Sequence, residues 1–256
     1  MKRISRITRL VYGAAFLLVP AVTSSSLAAA DDGPGPLGVT AVAALNAQSA
    51  RVGALFGKGR ADKLPGGHFC TASVVHSPHR NLVVTAAHCL DGDDGGKGAL
   101  FVPAYRNGRA PYGVWTVRRV FLPDGWAKGQ DEDSDVAFAV LADRDGKGVE
   151  DFVGGNRFVT GTTTGATAVT ITGYPNSREV PISCTNKPVA HSSTQQRVDC
   201  PDFPGGTSGS PWVNGDGSVV GVLGGHEQGG STDDISYSVV LGTEAKELYG
   251  DAAGDP

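Results

Sequence analysis

One methionine stands in 256 residues, against 37 glycines and 15 prolines. That balance disfavours long helices and favours short strands joined by turns. Past residue 30 no apolar run approaches the roughly 20 residues a membrane-spanning helix needs. Positive charge is also scarce. Lys2, Arg3, Arg6 and Arg9 are the only charged residues among the first 30, and the remainder holds 18 basic against 26 acidic residues, a net of −8. Nucleic acid is therefore excluded as a partner, because phosphate binding needs a basic face. The four cysteines include no pair at close zinc-ligand spacing. Asp91, Asp93 and Asp94 form an acidic, glycine-rich loop, yet the EF-hand spacing and its closing glutamate are missing. His76 and His79 have no convincing third ligand. No metal and no cofactor are expected.

What is present begins with residues 1–30. A basic start precedes an apolar run from Leu10 to Val22, then small residues ending Ala28-Ala29-Ala30. This reads as a cleaved signal peptide, so the chain is expected to be secreted, with no membrane association afterwards. Gly13 and Pro20 interrupt the run and argue against an anchor. Residues 31–51 are a possible pro-segment or flexible arm. An even cysteine count suits an exported chain with disulfides. Three pairings are possible. Joining Cys70 to Cys89 and Cys184 to Cys200 closes two short loops, each contributing about 3 kcal/mol by the chain-entropy model.

Short strand candidates fill the rest. They run 51–56, 70–75, 82–85, 99–103, 114–121 and 135–141, then 168–172, 181–184, 196–199, 211–213, 219–223 and 235–240. The polar, glycine-rich residues 142–157 read as a linker between the two halves. Thr243 is placed to cap a helix over 244–249 with Gly250 as its stop. Many short strands argue for barrels or a sandwich. The scattered histidines His68, His76, His79 and His191 lie in or beside turns and read as surface residues. Trp115, Trp126 and Trp212 read as core or cleft wall.

The chemistry centres on Pro204-Gly205-Gly206-Thr207-Ser208-Gly209-Ser210-Pro211. Glycines let the backbone turn sharply and bring N–H groups close to a ligand. A serine hydroxyl needs a base, and the base needs an orienting group. His88 in Val84-Thr85-Ala86-Ala87-His88-Cys89 and Asp135 in Ser134-Asp135-Val136-Ala137-Phe138 are the candidates. His, Asp, Ser is one of the chain orders in which such a triad occurs. Asp135 is preferred to Asp133 because it directly starts an apolar strand. The N–H groups of Gly206 and Ser208 would form the oxyanion hole. An α/β-hydrolase is excluded: Ser210 stands where its elbow needs glycine, and the order is wrong.

These three motifs resemble those of the chymotrypsin-like serine proteases over about 52–250. Thr85-Ala86-Ala87-His88-Cys89 looks like the family's histidine motif, and Cys70 lies where its bridge to the following cysteine begins. The resemblance implies an all-β fold of two six-stranded antiparallel Greek-key barrels, about 52–145 and 155–242, with the active site in the cleft between them. It implies a monomeric endopeptidase acting on proteins or peptides, with a catalytically silent binding protein on the same fold as the alternative. Gly-Thr-Ser-Gly-Ser-Pro and Ile171-Thr172-Gly173-Tyr174-Pro175 are similar to bacterial members, including the glutamyl endopeptidase branch.

There are departures. Thr207 replaces the aspartate that pairs with a newly cut N-terminus in animal digestive members, and Ser210 replaces a glycine. Asp202 lies six residues before Ser208, the offset at which trypsin-like members bind Arg or Lys; the alternative is a solvated loop carboxylate. Val222-Leu223-Gly224-Gly225-His226 is the strand expected to pair with substrate backbone. Leu223 stands roughly where glutamyl endopeptidases place a pocket histidine. His226 is a candidate to bind an acidic side chain, with the cleft rim as the alternative.

Overall fold

Residues 37–92 and 96–256 are described in a computed structural model of the chain. Residues 1–36, on which the expected signal peptide and the start of the 31–51 segment fall, and residues 93–95, with Asp93 and Asp94, lie outside them. The first strand, β1 (Thr40–Val42), falls within that 31–51 segment and pairs antiparallel with a strand of the second half, Thr40 facing Cys184. Then come β2 (Val52–Phe56), β3 (His68–Val75), β4 (Leu82–Thr85), β5 (Leu100–Pro103), β6 (Trp115–Phe121) and β7 (Ala137–Leu141). They close into a barrel in the order β2-β3-β4-β7-β6-β5, the six-stranded barrel expected for the first half. Side chains alternate across a strand. In β2, Leu55 joins the core with Val74, Val83, Phe101 and Phe138. Val52, Ala54 and Phe56 join a second cluster with Tyr105 and with Tyr174 of the other half. The apolar strand after Asp135 is buried throughout, as its unbroken run implied.

The second half holds β8 (Arg157–Phe158), β9 (Val169–Gly173), β10 (Ile182–Asn186), β11 (Val189–Ala190), β12 (Gln195–Asp199), β13 (Pro211–Asn214), β14 (Ser218–Val222) and β15 (Ile235–Val239). They form one sheet in the order β1-β10-β9-β13-β14-β8 and another in the order β11-β12-β15. The seam between β14 and β15 has no continuous ladder. Val222 N–H donates to Ser238 Oγ at 2.9 Å, and Gly224 N–H to the Tyr237 carbonyl at 3.0 Å. Inside sit Ile171, Ile182, Val198, Trp212 and Leu223. Among the named strands of the described residues the antiparallel expectation has one exception, since β8 runs parallel to β14.

Tertiary contacts overrode two local readings. The supposed linker carries a helix, Glu150–Val153. The Glu150 carboxylate meets His76 Nδ1 at 2.7 Å and accepts from Ser77 N–H at 3.2 Å, docking the segment on the first barrel. The terminal helix runs Thr243–Ala253, starts after Gly242 and passes through Gly250. Its last turn buries Ala252 and Ala253, and Asp255 beyond it pairs with Arg118 and Arg119. Packing of this kind sustains a helix past a residue of poor propensity. Of the possible disulfide pairings the local one forms: Cys70–Cys89 and Cys184–Cys200, with Cα atoms 6.1 and 5.9 Å apart. Among the described residues no helix is long and apolar enough to cross a membrane.

Candidate active site

His88 lies in the short 3-10 turn Ala87–Cys89, just after β4. Asp135 follows the 3-10 turn Glu132–Ser134 and leads into β7, the neighbour of β4. The ladder thus brings the two side chains together. His88 Nδ1 lies 2.7 Å from Asp135 Oδ2, and His88 N–H donates to Oδ1 at 3.0 Å. Asp135 is fully buried. A buried carboxylate is costly unless hydrogen-bonded, and the second half supplies the remaining donor: Gly225 N–H reaches Oδ2 at 2.7 Å. An ionised carboxylate only accepts, so the His88 proton belongs on Nδ1 and Nε2 is left as an acceptor. A Cβ on Gly224 would sit 2.7 Å from Asp135 Oδ2, so only glycine fits there.

Ser208 arrives from the second half on a tightly held turn. Its carbonyl accepts from Thr71 N–H at 2.8 Å, and Gly209 N–H donates to the Leu223 carbonyl at 2.7 Å. Thr71 also donates its hydroxyl to the Gly206 carbonyl at 3.0 Å, and its own carbonyl accepts from Thr85 Oγ1 at 2.7 Å. Thr71 neighbours Cys70, which is bonded to Cys89 beside His88. The serine turn is therefore tied to the histidine turn by a disulfide and a short chain of hydrogen bonds. Gly209 has φ +83°, and a Cβ there would overlap the Thr71 carbonyl oxygen. Gly206 has φ +97°, and its Cβ would lie 2.6 Å from the Tyr174 carbonyl oxygen. Among the described residues, the N–H groups of Gly206 and Ser208 donate to no protein acceptor.

The two departures have local explanations. Thr207 is buried and donates its hydroxyl to the Pro204 carbonyl at 2.7 Å. Ser210 is buried and donates to the Thr207 carbonyl at 2.6 Å. The loop is closed by its own hydroxyls, with no ion pair among the described residues.

The specificity candidates land differently. Asp202 is exposed, at φ +64°. Cys200 N–H and Phe203 N–H bond to the carbonyls of Asp234 and Asp233, at 3.0 and 2.8 Å. Those anchors hold both sides of the turn and leave Asp202 at its solvated apex, with Phe203 buried instead. A preference for basic residues thus has no buried carboxylate at this position. Gly225 spends its N–H on Asp135 and its carbonyl on Gln228 N–H at 2.7 Å. Gly224 spends its N–H on Tyr237. The segment after them turns into His226–Gly229 instead of continuing as a strand. His226 stacks on His191, with ring centroids 4.8 Å apart, and its Nδ1 lies 3.4 Å from Glu132 Oε2. It is half-buried and already faces a carboxylate.

A cavity of about 500 Å3 opens beside His88, walled by Phe69, Cys89, Trp126, Lys58 and Gln228. The Trp126 ring lies 6.4 Å from that of His88, and its indole N–H is buried without a partner among the described residues. The one grouping of metal-type ligands among the described residues is Cys70, His88 and Cys89, and its sulfurs are consumed by the disulfide. His68, expected at the surface, is buried in β3, with Nε2 2.9 Å from the Pro175 carbonyl oxygen. It alternates inward toward Phe56 and Tyr174. The sequence offered no signal for Thr71, whose partners Gly206, Ser208 and Tyr174 come from the other half.

The model of the trypsin-like peptidase domain matches residues 70–222, more than half of the chain. The chain belongs to this family. Protease Anisep from Arthrobacter nicotinovorans is 30% identical, with a TM-score of 0.69 over 82% of this chain and 98% of that one. The thermostable serine protease AL20 from an extremophilic microorganism is 28% identical, again at 0.69, covering 82% of this chain and 100% of its own. A Glu endopeptidase at 17% identity and a TM-score of 0.67, over 87% and 99% of the two chains, shares the fold. No curated protein matches the sequence. This trypsin-like peptidase is a serine endopeptidase with a chymotrypsin-like fold of bacterial type.

Proposed function

We propose that the chain is a secreted endopeptidase that cleaves peptide bonds through Ser208, His88 and Asp135 by way of an acyl-enzyme. The supporting observation is the buried Asp135 carboxylate bound to His88 Nδ1 at 2.7 Å, with the Ser208 turn tied to the same corner. Ser208 Oγ attacks the scissile carbonyl as His88 Nε2 takes its proton. The developing oxyanion is received by the Gly206 and Ser208 N–H groups, where one such donor is typically worth about 3–4 kcal/mol. His88 then passes its proton to the leaving amine, and water completes the cycle in reverse. Asp135 keeps the imidazole in the right tautomer and offsets its positive charge.

Residues 1–30 act as the export signal in this reading, and the two disulfides suit an oxidising compartment. The substrates are proteins or peptides, taken by a monomer. A sulfonyl fluoride or fluorophosphonate should label Ser208 and stop peptide hydrolysis, while Ser208→Ala is inert to both assays. Hydrolysis that survives in Ser208→Ala would refute the assignment. Mass spectrometry of the secreted protein should find residues 1–30 absent.

A further inference from the structure

The turn that carries Asp135 makes contacts that the triad does not explain. Glu132–Ser134 belongs to the first half, yet residues of the second half hold it. Gln195 opens β12, is only 4% exposed, and aims its amide at that turn. Its Nε2 donates to the Glu132 carbonyl at 2.9 Å and to Asp133 Oδ1 at 2.8 Å. Its Oε1 accepts from His226 N–H at 3.4 Å, and a Cβ on Gly225 would overlap that same oxygen. Gly225 is the residue whose N–H holds Asp135. Two further contacts close the circle: Glu227 N–H to Glu132 Oε1 at 2.9 Å, and Ser134 Oγ to Glu244 Oε2 at 2.8 Å.

From this arrangement we propose that Gln195 is a positioning residue for the catalytic acid. One buried amide grips the turn just before Asp135 and the loop that donates to Asp135. It sets the carboxylate against His88 Nδ1 and locks the acid of one half to the serine-bearing half. The neutral amide suits the place. It donates twice toward a carbonyl and a carboxylate, and accepts from a backbone N–H, in surroundings that hold the charges of Glu132, Asp133 and Glu227 beside His226. A carboxylate there would meet like charge and lack a donor, and a lysine or arginine would lack an acceptor for His226 N–H. The inference rests on the triad reading above.

The test compares two adjacent glutamines of β12. Gln196 is 5% exposed and bonds instead to the Val220 carbonyl at 3.3 Å and to Thr164 Oγ1, away from the acid. Gln195→Met and Gln196→Met remove the same amide at matched burial. Gln195→Met should lower kcat roughly tenfold to a hundredfold with little change in KM, the cost of misplacing a catalytic group by a fraction of an ångström. The acidic limb of kcat/KM should move to lower pH, because the imidazolium loses part of its counter-charge. The downfield proton resonance of the His88–Asp135 hydrogen bond should shift or broaden. Gln196→Met should move neither pH limb nor resonance. An unmoved limb and resonance in Gln195→Met, or equal changes in both variants, would overturn the proposal.

Should Gln195→Met not fold, Gln195→Glu keeps the size but cannot donate while ionised. Its activity relative to wild type should then rise as pH falls, and a pH-independent ratio counts against the role. Ser208→Ala runs alongside. Retained hydrolysis in Ser208→Ala sinks the triad, whereas a dead Ser208→Ala with an unaltered Gln195→Met sinks only the positioning role.

Discussion

The two halves are built from similar short strands and close differently. The first is a complete ladder in which each strand has two neighbours, and its backbone groups are satisfied by repetition. The second is two sheets, joined where Ser238 meets β14 and Tyr237 meets Gly224 just beyond it. Its integrity depends on single side chains and on glycines that let segments approach. The proposed acid and base, Asp135 and His88, come from the regular half; the serine turn, the Gly225 donor and Gln195 come from the irregular one. Single polar residues should therefore matter more for function in the second half, and apolar volume more for stability in the first.

The largest effect is expected where the halves meet at Asp135. Asp135→Asn keeps the shape but favours the wrong imidazole tautomer, and should lower kcat by about 10⁴-fold. Steady-state kinetics with a peptide substrate will measure it. A loss under tenfold would mean that the Gly225 and His88 contacts do not serve catalysis. Next, Leu82→Ala empties volume in the closed barrel, where Leu82 is fully buried. It should cost about 2–5 kcal/mol in chemical denaturation while leaving kcat near wild type.

The disulfides separate the halves further. Each closes a loop of similar length, with sequence separations of 19 and 16, and removal by paired serine substitution should cost about 3 kcal/mol in either case. Loss of Cys70–Cys89 should also lower kcat, because the bridge ties the His88 turn to Thr71 and the serine turn. Loss of Cys184–Cys200 should act on stability alone. Equal kinetic effects from both would erase the distinction. Smaller still, Ser238→Ala leaves Val222 N–H unpaired at the seam and should cost about 1–3 kcal/mol.

A pH effect probes the surface between the halves. Tyr174 of the second half packs with Phe56 and Tyr105 of the first. Burial pushes the Tyr174 hydroxyl above its ordinary range, and burial with Glu179 nearby does the same to Tyr105. In the window above the ordinary tyrosine value the folded state keeps protons that the unfolded state loses. Stability should thus be full below about pH 10 and fall above it. Tyr174→Phe should make that decline shallower in thermal melts across the alkaline range. An identical slope would show that Tyr174 does not carry the linkage.

Much of this was legible in the linear chain, for reasons that particular residues make clear. Asp135 could be chosen over Asp133 because an unbroken apolar run follows it, and such a run is buried. His88, Ser208 and their flanking glycines are local motifs whose chemistry constrains neighbours in sequence. For Asp202 and His226 the sequence left two readings open, since an offset from the serine says nothing about a turn's direction. Asp202 is exposed between Cys200 and Phe203, whose N–H groups bond to the carbonyls of Asp234 and Asp233, and His226 is engaged by Glu132 and His191. The Thr243 helix outran its glycine because its end is held by packing on the first half, which no capping rule contains.

By itself the sequence determined the class of fold, the export signal as an expectation, and the three side chains proposed for catalysis. All of these rest on near-neighbour patterns: alternation, apolar runs and short motifs. Only the tertiary structure decided how Asp135 is held, which polar groups of Gly224 and Gly225 are already engaged, and that Gln195 spans the two halves. The contacts of Gln195 with the Glu132–Asp133 turn and of Gly225 with Asp135 join residues about 60 to 90 positions apart. Chain closure over such distances is set by the packing of whole strands, so no local pattern records it.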